Sequence, residues 1–105
     1  MELLTTPDPP YYAVIFSSIR KGDPPDYQLL SREMSELALE QPGFLGMEHA
    51  REDIGITVSY WADLESIRAW REHSRHRFAQ RRGRDEFYSD YRIRIALVTR
   101  EYGLH

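Results

Sequence analysis

Trp70, His73, His76, Arg77 and Gln80 lie close together in a segment that reads as helix, and Tyr60 ends the strand-like run just before it. An imidazole titrates near neutral pH, so His73 and His76 are candidates to take a proton as general base. Three residues apart on a helix, they share one side and can address one ligand. The planar fork of Arg77 suits a developing anion, Gln80 lies one turn past His76 on the same side, and Trp70 and Tyr60 would supply an apolar wall. Together these residues could deprotonate a small phenolic or quinol molecule and hold the anion that results. The competing reading makes Trp70 a core residue and both histidines exposed or at a subunit contact, partnered by Glu72 or water. A metal site is not expected, because Glu72 and Gln80 give the two histidines no third ligand at an established spacing.

Other chemistries lack their residues. The chain has no cysteine, which removes disulfides, thiolate catalysis and cysteine-held zinc or iron–sulfur sites and fits a cytoplasmic location. Ser17, Ser18 and Ser59 have no nucleophile-elbow glycines around them. Gly43 and Gly46 follow a helix instead of preceding one, so no phosphate loop and no nucleotide cofactor is expected. Net charge is -3, and the arginines Arg68, Arg71, Arg75, Arg77, Arg81, Arg82 and Arg84 are interleaved with Glu65, Glu72, Asp85 and Glu86. That pattern is a salt-bridged helix face and not a nucleic-acid surface. No apolar run reaches the ~20 residues that span a bilayer, and Met1 to Pro10 lacks the basic start and apolar stretch of a signal peptide.

The elements that would hold these residues follow from periodicity. Tyr11 to Ser18 is β-branched and aromatic on both faces, as in a central strand covered twice. After a turn-rich link from Arg20 to Pro25, Asp23 or Asp26 can cap a helix to about Glu40, with Tyr27, Leu30, Met34 and Leu37 on its buried side. Pro42-Gly43 stops it. Phe44 to Arg51 and Ile56 to Trp61 read as a hairpin joined through Glu52-Asp53-Ile54-Gly55. Asp63 caps a second helix that ends at Gly83, with Ile67, Trp70, Ser74 and Phe78 on one stripe and Ala69, His73, His76 and Gln80 on another. Gly83 to Ser89 is a charged loop or turn. In the last strand Tyr91, Ile93, Ile95 and Leu97 alternate with Arg92, Arg94, Ala96 and Val98.

This order is β-α-β-β-α-β, an α+β ferredoxin-like unit with a four-stranded antiparallel sheet and two helices on one face. Residues 1–10 form an extended arm, 11–102 the domain and 103–105 a tail, and a chain of 105 residues is one domain by size. Since helices cover one sheet face and both faces of the first strand are apolar, a second copy of the chain is the simplest cover for the other.

Gln41-Pro42-Gly43-Phe44-Leu45-Gly46-Met47, the strand end Ser59-Tyr60-Trp61 and the helical Ile67-Arg68-Ala69-Trp70 resemble the antibiotic biosynthesis monooxygenase (ABM) family over roughly residues 11 to 102. The resemblance implies a dimeric α+β barrel, two ferredoxin-like subunits packed sheet against sheet, with a cavity in each between sheet and helices. It implies oxygenation of electron-rich aromatic substrates, such as polyketide anthrones, without metal or flavin. A non-catalytic dimer that binds a small aromatic ligand, or serves as a structural domain, fits the same fold. A related branch degrades haem with an asparagine on the first strand, a tryptophan in the second helix and a histidine ten residues on. Trp70 matches, but the tenth position is Gln80, the first-strand position falls near Ile15, and the chain has no asparagine. Haem degradation of that type is therefore disfavoured.

Overall fold

The computed structural model describes residues 1–104; His105, the end of the expected tail, lies outside them. The elements are β1 (Tyr11–Arg20), α1 (Tyr27–Leu39), β2 (Phe44–Arg51), β3 (Gly55–Trp61), α2 (Leu64–Glu72), α3 (Ser74–Arg82), one π-helical turn (Gly83–Phe87) and β4 (Tyr88–Val98). The strands form one antiparallel sheet in the order β2-β3-β1-β4. The first strand is central, as its two apolar faces require.

One expectation needs correction. The second helical segment is two helices, because His73 has φ -58° and ψ 133°, an extended conformation that restarts the helix in a new direction. The continuous stripe of Ala69, His73, His76 and Gln80 is therefore broken at His73. The break is stabilised on both sides: the His73 amide donates to the Trp70 carbonyl at 3.1 Å, and the His73 ring accepts from the Arg75 amide at 3.2 Å through Nδ1. An imidazole thus caps α3.

Cross-strand partners share a sheet face, which sorts the residues. Tyr12, Val14, Phe16 and Ser18 lie with Trp61, Ser59 and Thr57 of β3 and with Leu97, Ile95, Ile93 and Tyr91 of β4. The helices are on this side: Arg20 stacks over the α1 ring of Tyr27, the Tyr27 hydroxyl meets that of Tyr88 at 3.2 Å, and the Tyr88 ring abuts Phe16. Trp61, only 1% exposed, anchors the core against Phe44. The far face carries Ala13, Ile15, Val58, Tyr60, Ala96 and Val98, with Glu48 on β2 and Arg92 and Arg94 on β4.

Two joints fix the helices on the sheet. Asp63 caps α2 as expected, its carboxylate accepting the Ser66 amide at 2.7 Å. The Gly43 carbonyl accepts the Ala62 amide at 2.8 Å, and Gly43 has φ +81° with the Ser66 side chain where a Cβ would stand. Only glycine fits there. Asp26 stands at the N-cap position of α1 without capping it; its carboxylate instead receives the Arg82 guanidinium at 2.8 and 3.1 Å, while Glu33 receives Arg75 at 2.6 and 2.7 Å. These pairs tie α1 to α3.

Candidate active site

Trp70 closes α2 and His76 lies in the first turn of α3, so the bend at His73 folds one ring onto the other. Their rings stack with centroids 4.4 Å apart and planes 10° from parallel, and the His73 ring lies 5.4 Å from the same indole. A straight helix would have held His76 six positions further round and along. The Trp70 carbonyl also meets His76 Nδ1 at 3.0 Å. A carbonyl can only accept, so Nδ1 carries the proton and Nε2 keeps its lone pair. Burial, the largest influence on His76, lowers its pKa from the ordinary value; the bond to the Trp70 carbonyl works the other way, and His73 and Arg71 add to the lowering. The lowered pKa favours the neutral ring, in which Nε2 is the free base. His73 has spent its Nδ1 on the cap of α3, so the two histidines are not equivalent.

The other candidate residues are distributed less compactly. Gln80 is half-buried one turn beyond His76, and Arg77 is exposed; among the described residues neither side chain makes a hydrogen bond or ion pair. Tyr60 stands opposite Ala13, on the sheet face away from the helices. Its ring meets Tyr11 edge-on at 5.8 Å, and its hydroxyl donates to Glu48 at 3.3 Å. Burial first, then the Glu48 carboxylate, raises its pKa. Trp61 is the residue of that pair on the helix side, and it is too buried to line an open cavity. Helix-side apolar surface within reach of solvent includes β4, where Ile93, Ile95 and Leu97 are 48%, 50% and 52% exposed, and an open pocket between α1 and β2 lined by Leu39, Phe44 and Met47.

Residues 10–82 match the antibiotic biosynthesis monooxygenase family over more than half of the chain. The chain belongs to this family. The chain is 46% identical over 101 residues to the uncharacterised protein YqjZ of Bacillus subtilis, covering 94% of this chain and 89% of that one. It is 32% identical over 62 residues to the jasmonate monooxygenase ABM of Pyricularia oryzae, covering 59% of this chain and 24% of the fungal protein. In structure it is similar to SnoaB, a cofactor-independent oxygenase of Streptomyces nogalater, with a TM-score of 0.70 at 15% identity over 91% of this chain and 98% of SnoaB. At that identity the likeness is one of fold.

This ABM chain also holds a polar cluster that local sequence spacing does not announce. At the end of the sheet remote from Trp61, Arg51 of β2 crosses Gly55 to reach the buried Ser18 hydroxyl of β1 at 2.5 Å. Tyr88 stands nearby, its pKa raised by burial and then by its bond to Tyr27. The cluster joins three strands and α1, so no sequence window contains it. Among the described residues no group of histidine and carboxylate side chains could hold a metal ion, and no helix is long and apolar enough to cross a membrane.

Proposed function

We propose that this ABM chain is a monooxygenase that needs no bound cofactor and acts on a small phenolic or quinol substrate, with His76 as its general base. The observation that carries the reading is the fixed tautomer of His76: Nδ1 bound to the Trp70 carbonyl, the ring stacked on Trp70, Nε2 unprotonated. In such chemistry the substrate supplies the electrons. Loss of a proton to Nε2 gives a delocalised anion that reduces dioxygen; a ring-flanked CH2 becomes C=O with one oxygen atom, and the other leaves as water. The protein has to remove the proton, hold the anion and keep solvent away. Trp70 serves as the apolar wall, and Arg77 and Gln80 are the polar groups on α3 that can turn toward the anion. Tyr60, on the far face, takes no part within one subunit. An oxygen-electrode screen over anthrones and quinols, corrected for autoxidation, tests the reading; uptake no faster than in buffer across the panel contradicts it.

The working unit is proposed to be a homodimer packed through the far sheet face. A compact 12.4 kDa monomer exposes about 6,100 Å² by size scaling, whereas this chain exposes 7836 Å². The extended arm and tail account for part of the excess. The far face itself carries an apolar strip of Ile15, Val58, Ala96 and Ile56, the last 46% exposed. Glu48 at one edge of that face and Arg92 and Arg94 at the other give it opposite charges for a second copy to meet.

A further inference from the structure

The cluster around Arg51 has an electrostatic imbalance. Arg51 is half-buried, its guanidinium bonds the Ser18 hydroxyl, and among the described residues no carboxylate lies within ion-pair distance of it, although Glu52 and Asp53 follow it directly in the chain. Ser18 is 3% exposed. Arg20, another cation at this end of the sheet, donates to Asp23 at 2.7 Å and lies over Tyr27 at 3.8 Å, with its Nε buried and unpartnered. A half-buried guanidinium with no carboxylate partner has donors left to offer an incoming anion. Gly55 keeps the path across β3 open, since a Cβ there would collide with the Arg51 guanidinium.

Beside these donors lies an aromatic surface. Phe16, Tyr88 and Tyr91 contact one another with centroids 5.3, 5.7 and 6.2 Å apart, and Tyr91 is 39% exposed, so the group is open to solvent on one side. A guanidinium fork recognises a carboxylate through two parallel hydrogen bonds, and tilted rings accept a further ring at their edge. We propose that Arg51, positioned by Ser18, forms with Phe16, Tyr88 and Tyr91 a binding site for a small aromatic carboxylate. The carboxylate accepts from the Arg51 guanidinium, which the buried Ser18 hydroxyl holds in place, and its ring packs on the aromatic side chains. The site uses none of Trp70, His73 and His76 and stands whether or not the oxygenase reading does.

The test is a calorimetric or NMR titration of the full chain with benzoate, with benzamide as the uncharged analogue of the same shape and inorganic phosphate as the anion without a ring. Benzoate binds, with benzamide and phosphate each at least tenfold weaker. Arg51→Gln weakens benzoate at least tenfold. Tyr91→Ala, at a ring 39% exposed, weakens it severalfold, so the proposal is testable even if Arg51→Gln does not fold. Benzamide or phosphate binding as tightly as benzoate, or unchanged benzoate affinity in either folded variant, overturns the proposal.

Discussion

Replacing His73 separates its structural role from a chemical one. In the structure its Nδ1 accepts the Arg75 amide, the second residue of α3, at 3.2 Å. His73→Ala leaves that amide without a protein partner, a loss of about 0.5–2 kcal/mol for a helix N-cap. For a domain of this size 1 kcal/mol moves the melting temperature by roughly 4–8 °C. With a urea m-value of about 1–3 kcal/mol/M, it moves the midpoint by roughly 0.3–1 M. His73→Asn places an amide oxygen where the imidazole nitrogen was, and asparagine is among the preferred caps, so it should keep the wild-type midpoint. Urea unfolding at fixed protein concentration, followed by circular dichroism, measures all three proteins. In the oxygen assay His73→Asn should also retain turnover, since the base is His76. A His73→Asn protein as unstable as the alanine variant refutes the cap. A stable one that has lost turnover refutes the division of labour between the two histidines.

Gly43→Ala forces an alanine to φ +81° and its Cβ into the Ser66 side chain, costing roughly 2–5 kcal/mol from left-handed backbone strain and overpacking; Ser66→Gly in the same chain should recover the packing part, and a midpoint unchanged by Gly43→Ala alone contradicts the joint. Burial lowers the His76 pKa, so the unfolded chain binds the proton first as pH falls below about 6.5; the His76 contribution is constant above that pH and declines toward the lower folded value, and His76→Gln should flatten this part of a stability–pH curve measured by urea unfolding. Sedimentation equilibrium at micromolar concentration should give twice the 12.4 kDa chain mass, and a stable monomer would remove the dimer.

The sheet was legible in the sequence because strand signals are local. Double-faced apolarity in Tyr11–Phe16 placed β1 in the centre, alternation after Tyr91 sorted β4, and Asp63 marked the start of α2. The bend at His73 was hidden because helix periodicity runs through it unbroken, and an imidazole accepting a backbone amide imitates the capping usually done by Ser, Thr, Asp or Asn. Gly83 does stand at the C-cap of α3, after Arg82, but with φ -58° instead of a left-handed value, so the chain passes directly into the π turn, and its missing side chain leaves room for the Tyr88 ring. Which of Tyr60 and Trp61 faces the helices depended on strand register, which pairing across β1 decides and neighbouring residues do not. The Arg51 cluster could be seen only once β1, β2 and β4 were brought together.

In the proposed reaction His76 Nε2 removes the substrate proton. The most direct measurement is dioxygen uptake by His76→Gln, with the oxidisable anthrone or quinol identified in the screen and with folding verified by circular dichroism. Glutamine keeps a polar side chain of similar reach but cannot titrate, so turnover should fall by ~100-fold or more. A folded His76→Gln protein that consumes oxygen at the wild-type rate would contradict the mechanism.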